Sequence, residues 1–254
     1  MSGPVGVLGV GVWPPPALSA DVAGGSAQAR KPQAELLTAR MRGRASLLTA
    51  LFADVALQAT RAAGLAAGDL PIVFGSAYGE MGTLLSLIHQ LYHGDGALSP
   101  AKFQASVHNT AAGQLSIAQR NEHFSTSLAA GRDTVAMVLL EAFAWLDQHP
   151  GEVLVAWADE AASEVLQPGT AYGPLAAACV LSNRAGAGAL AWLGPLRDRH
   201  DAEQATLAQA PCNPCAPALT LVQAVMSTRE TNLDLNPGSP CTYSLTVQPV
   251  VRNS

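Results

Sequence analysis

The chain has 254 residues, of which 49% are apolar and 13% charged, with a net charge of -5 at neutral pH. That length allows one large α/β domain or two small ones, with a core able to fold without disulfide staples. The charge balance carries no basic footprint for nucleic acid, and no apolar run reaches the roughly 18 residues of a membrane span. The N-terminus has no positively charged region ahead of its apolar stretch, so a cytoplasmic protein is expected. Scarce charge on an Ala/Leu/Val-rich chain points to a surface partly covered by a partner.

Val5 to Val12 alternates Gly with Val and Leu and stops at Trp13-Pro-Pro-Pro16, which predicts a buried strand. The prolines stand where the helix of a dinucleotide fingerprint would begin, so that motif is excluded. Ser19 to Gln33 reads as an exposed loop. Leu36 to Ala63 predicts one long helix closing at Gly64, and its Arg40, Arg42 and Arg44 suit either a solvated face or an acidic partner. Pro71 to Ser76 reads as a strand buried in a parallel sheet. After Tyr78-Gly-Glu80 a helix carries Leu84, Leu85, Leu87, Ile88 and Leu91 on its apolar side. His89 and His93 have metal-ligand spacing on it, but no third ligand accompanies them, and they read as ordinary histidines. Ser99-Pro100 opens a loop passing into a helix near Asn109, a candidate N-cap.

His123 to Glu160 predicts strand, sharp turn, helix, strand. Such a turn sits at a helix N-terminus, which favours negative charge and lowers a thiol pKa, and it usually carries a nucleophile. The residue at that position, entering the step Ala129-Ala130-Gly131, is Leu128, which has no nucleophilic atom. Ser125 or Ser127 with His123 as base offers a serine hydrolase or acyltransferase alternative, although the surroundings are not Gly-x-Ser-x-Gly and no orienting acid is placed. Farther on, Tyr172 to Leu181 and Ala187 to Leu193 predict an antiparallel hairpin. Pro214 to Ser227 predicts a helix, a Pro/Gly/Asn loop follows, and Tyr243 to Gln248 predicts a final strand. Cys212-Asn-Pro-Cys215 could be a redox pair or half a zinc site, but a helix-start turn or chance spacing accounts better for a lone C-x-x-C.

In this order, Gly9-Val-Gly-Val-Trp-Pro14, Gly75-Ser-Ala-Tyr-Gly79, Ser99-Pro100, Ser106-Val-His-Asn109, Ala112-Gly113, Phe124 to Gly131 and Glu152 to Glu160 resemble the N-terminal half of a β-ketoacyl synthase. The resemblance implies an α/β fold: a single thiolase-fold half with helical layers on a mixed sheet, a degenerate β-ketoacyl synthase N-terminal domain. It implies one domain over 1–254, with 1–196 matching the family and 197–254 a C-terminal helix and strand extension.

Active members of that family carry a cysteine at the elbow, where this chain has Leu128 between Ser127 and Gly131, and a second half bearing the catalytic His residues. The chain resembles short chain length factors of aryl polyene type pathways, which are noncatalytic subunits, and nothing in the sequence implies an organic cofactor or a metal. The resemblance implies a heterodimer with a full-length ketosynthase, possible contact with an acyl carrier protein, and a loop crossing the interface to close the partner's acyl tunnel. By position, Phe103, Ser106, Val107, His108 and Asn109 would form that gate. A structural homo-oligomer with no part in chain elongation is the alternative.

Overall fold

A computed structural model describes residues 4–14, 31–94, 96–161, 163–166, 172–184, 188–199, 213–236 and 242–250. Most of the expected loop Ser19 to Gln33 lies outside them. The chain opens with β1, Val5–Trp13, whose Val5 and Val7 are buried. Its glycines have a steric cause. A Cβ on Gly9 would lie 2.2 Å from the Ala59 carbonyl oxygen, and one on Gly11 2.2 Å from that of Val55. The strand therefore lies directly on the backbone of a helix, and the Val12 N–H donates to Gln58 Oε1 at 3.1 Å.

The long helix expected from Leu36 to Ala63 is instead two helices, α1, Ala39–Arg42, and α2, Leu47–Ala63. Gly43 caps the first, and Ser46 restarts the chain by accepting the Thr49 N–H on its Oγ. Gly64 ends α2 in the left-handed region at φ +69°, as expected of a C-terminal glycine.

Then come β2, Ile72–Gly75, and α3, Met81–His93. The apolar side expected of α3 exists, but only Leu87 is buried; Leu84, Ile88 and Leu91 are exposed. The His89 and His93 rings lie 4.8 Å apart, and the described residues hold no cluster of three potential metal ligands. Two helices follow, α4, Pro100–Gln104, and α5, Thr110–Gln119. Asn109 stands at the N-cap of α5 without the side-chain bond expected of it.

The central unit is β3, Ser125–Leu128, a 3-10 turn, Gly131–Asp133, α6, Thr134–Gln148, and β4, Glu152–Asp159. Beyond it lie β5, Leu175–Ser182, β6, Ala191–Leu193, and β7, Arg197–Arg199. The chain continues with α7, Ala216–Val225, β8, Thr231–Asp234, and β9, Thr242–Pro249.

Among the described residues these strands form one mixed sheet in the order β3-β2-β4-β5-β1-β6-β9-β7, with β8 on β9. β2 runs parallel to β3 and β4, while β5 is antiparallel to β4 and β1. The expected hairpin does not form. β5 and β6 both pair with β1, on its opposite edges, and Trp192 packs over Gly6, 3.2 Å from where a Cβ would be. A third strand with two free edges outcompetes direct pairing of the two runs. The segment after Arg197 extends this same sheet through β9.

Helices cover both faces. Buried side chains of α2 and α5 pack with Phe74, Ile72, Leu154 and Val180 on one face. Those of α6 and α7 pack with Val73, Val155, Trp157 and Cys179 on the other. The α/β fold with a mixed sheet is as the resemblance implied.

Because the β1–α2 contact is backbone on backbone, Gly11→Ala should cost about 1–3 kcal/mol, read as a lower denaturation midpoint. Gly113→Ala, in the interior of α5 with open space around the new methyl, should instead gain about 0.5–1 kcal/mol. Equal midpoints for the two would contradict the packing account.

Candidate functional site

The parallel strands β3 and β2 end together, at Leu128 and Gly75, abreast of Trp157 in β4, which runs two residues farther to Asp159. A Cβ on Gly75 would meet Val138 Cγ2 at 2.5 Å, so this row lies tightly against α6. Leu128 is half-buried and packs on the core beneath it. The elbow beyond it is built from capping bonds. The Ala130 N–H donates to Thr134 Oγ1 at 3.0 Å, and that hydroxyl donates to the Gly131 carbonyl at 2.8 Å. Gly131, at φ +55°, starts the 3-10 turn that separates Leu128 from α6. Asp133 accepts from Asn236 Nδ2 at 2.6 Å, which ties the elbow to the end of β8.

Ser125, Thr126 and Ser127 line a groove of about 580 Å3 with Asn109, Ser116 and His123. Ser116 Oγ and Ser127 Oγ are buried there without a hydrogen-bond partner among the described residues. His123 is exposed, and among the described residues neither Ser125 nor Ser127 is hydrogen-bonded to its ring, so no serine–histidine pair is assembled.

The residues singled out as a gate separate into two kinds. Phe103 and Val107 project outward, 62% and 45% exposed. Ser106 Oγ donates to the Phe103 carbonyl at 2.8 Å, and Asn109 is exposed at the groove. His108 is different: its Nε2–H donates to the Ser76 carbonyl at 2.8 Å. Its ring also fills the space beside Gly79, where a Cβ would lie 2.8 Å from Cδ2 and where φ is +60°. His108 thus pins the loop before α5 to the turn after β2.

Two buried carboxylates that the sequence analysis did not single out organise this region. Asp159, fully buried at the end of β4, accepts four bonds. Ser76 Oγ and the Tyr78 N–H donate to Oδ1 at 2.7 and 3.1 Å, and the Ala77 N–H and Cys215 Sγ donate to Oδ2 at 3.0 and 3.1 Å. Burial pushes its carboxyl above the ordinary range, against the pull of those donors. Burial, and then the charge of Asp159, push the Cys215 thiol up. Cys215 is the helix-start residue of α7 and fully buried; Cys212 lies outside the described residues. One signal was available: an acid closing the otherwise apolar run Val153 to Ala158.

Glu80, at the N-cap of α3, accepts from Ser46 Oγ at 2.8 Å and Thr49 Oγ1 at 2.9 Å, both on Oε1. It thereby joins the start of α2 to the start of α3. Its Oε2 is buried, and the Thr83 side chain of the first turn of α3 adds a further stabilising contact to the carboxylate. Burial raises its pKa above 4.5, the Ser46 and Thr49 bonds oppose that rise, and the charge of Glu160 adds to it.

The family described as Beta-ketoacyl synthase, N-terminal domain, matches residues 17–241. No protein of curated function matches the sequence. Among solved structures, similarity extends to a chain of the ketosynthase (ApeO) in complex with its chain length factor (ApeC) from Xenorhabdus doucetiae. That match has a TM-score of 0.71 and 20% identity, covering 96% of this chain and 100% of that one. A chain of the ishigamide ketosynthase/chain length factor gives 0.70 and 15% over 98% of this chain and 100% of that one. A chain of AntDE:AntF, a type II PKS acyl-carrier protein in complex with its ketosynthase bound to the hexaketide, gives 0.73 and 14% with the same coverages, 98% and 100%. At these identities the likeness is one of fold. No helix among the described residues is long and apolar enough to cross a membrane.

The raised carboxyl of Glu80 fixes a sign. A group held above its unfolded pKa contributes stability that is full below that ordinary value and lost as pH rises through the folded one. Glu80→Gln keeps an acceptor for Ser46 and Thr49 but cannot ionise. Between pH 4.5, the ordinary value, and neutrality, the wild type should therefore lose stability relative to Glu80→Gln. Urea midpoints across that range test it, and parallel curves for the two proteins would contradict it.

Proposed function

We propose that this chain, which belongs to the β-ketoacyl synthase family through its N-terminal domain, is a noncatalytic chain length factor that forms a heterodimer with a full-length ketosynthase. The observation that carries this reading is a group of exposed apolar side chains on consecutive elements, together with a sheet edge that no other described strand pairs. β3 is the terminal strand of the sheet. Near it in the chain, α3, α4 and the loop before α5 leave Ile88, Leu91, Tyr92, Phe103 and Val107 exposed. An open edge and exposed large apolar side chains are what a partner covers. The unpartnered Ser116 and Ser127 hydroxyls at the adjoining groove each cost about 1–3 kcal/mol unless an incoming chain supplies a bond. Leu128 supports the noncatalytic half of the reading, since it offers no atom to hold an acyl thioester. The solved complexes of like fold pair ketosynthases with chain length factors.

In this reading the acyl carrier protein delivers its chain to the cysteine of the partner, and this subunit walls the far end of the tunnel. Phe103 and Val107 are the outward-facing members of the gate. Ser106, His108 and Asn109 hold their loop, His108 through Ser76. Residues 197–254 act as an extension of the single domain.

Co-expression with a full-length ketosynthase, followed by a mass measurement on the purified species, is the direct test. A one-to-one heterodimer is expected. A homodimer that ignores the ketosynthase would replace this reading with the structural homo-oligomer. Within an intact heterodimer, Val107→Trp should shift the products to shorter chains; an unchanged product distribution would remove Val107 from the gate.

A further inference from the structure

A second cavity, of about 660 Å3, lies away from the elbow, where the loop after α1 and the start of α2 meet α3 and α4. Three cations line it, Arg40, Arg44 and Lys102. All three are exposed, and among the described residues none is in an ion pair. In a chain of net charge -5 with 14 basic residues, three cations around one cavity are a local excess over the single carboxylate that lines it among the described residues. The one carboxylate lining the cavity, Glu160, already accepts the Gly82 N–H on Oε2 at 2.9 Å. Ser46 and Leu47 bring the first residues of the 17-residue α2 to the cavity wall, adding the positive end of a helix.

The rest of the lining narrows the ligand. Met41 and Ala105 are aliphatic, Ser86 and Gln114 offer hydrogen bonds, and among the described residues no aromatic ring lines the cavity to stack on a base. The volume falls within the range of small-molecule sites. Guanidinium groups suit phosphate oxygens through paired N–H donors, and Lys102 adds a point charge.

We propose that this cavity binds a small aliphatic phosphate ester, its phosphate held by Arg40, Arg44 and Lys102 and its carbon chain lying on Met41, Leu47 and Ala105. The cavity shares α3 and α4 with the exposed apolar side chains of the proposed interface, but none of Ile88, Leu91, Tyr92, Phe103 and Val107 lines it, so variants at Arg40 and Arg44 leave those side chains in place.

Isothermal titration of the full chain with hexyl phosphate and with inorganic phosphate reads both parts of the site. Hexyl phosphate should saturate at one per chain and bind about tenfold more tightly than inorganic phosphate, equivalent to about 1.4 kcal/mol. Raising the salt should weaken both. The double variant Arg40→Gln/Arg44→Gln, both on the surface, should lose at least about tenfold in affinity. Arg120→Gln, at the far end of α5, should bind as the wild type does. Unchanged binding in the double variant, or no saturation by either probe, would overturn the site. Equal affinity for the two probes would reduce it to an inorganic anion site and overturn the aliphatic ligand.

Discussion

The carboxylate of Asp159 is the contact on which the working end of the molecule depends. A buried acid without a cation is costly unless donors surround it, and here the donors come from separate parts of the chain. Ser76, Ala77 and Tyr78 belong to the turn that launches α3, and Cys215 begins α7. Asn213 adds a bond from its Nδ2 to the Asp159 carbonyl. Once that turn is fixed, the Ser76 carbonyl can receive His108, and His108 sets the loop that presents Val107. The presented surface is thus held from below by a single side chain.

Much of this fold was legible because its strongest signals are local. The prolines after Trp13, the apolar run before Ser76 and the strand–turn–helix–strand of the central unit all rest on patterns within a few residues. What was not legible depends on partners distant in sequence. The runs at 172–181 and 187–193 look like a hairpin until β1 is placed between them. The break at Gly43 and Ser46 hides inside a helical periodicity that continues across it. β8 escaped because Thr-Asn-Leu-Asp contains one apolar residue, Leu233, and owes its existence to β9.

The site divides along the same line. That the chain turns after Leu128 was readable from the step Ala129-Ala130-Gly131, since backbone turns leave marks in composition. The roles of Asp159 and Glu80 were not, because each is defined by hydroxyls and amides that folding brings to it. Periodicity also assigned α3 an apolar side correctly but could not say what covers it. A helix stripe reads the same whether it faces the core of its own chain or another surface, and burial alone separates the two.

The short strand β3 carries one more implication, for the life of the molecule in a cell. Its Ser-Thr-Ser sequence is a poor template for runaway strand addition, while the helices nearby expose leucine, isoleucine, tyrosine and phenylalanine. A copy synthesised in excess would therefore resist fibril growth yet still display the greasy surface that chaperones and proteases survey. Its abundance would then be set by degradation of the surplus as much as by its rate of synthesis.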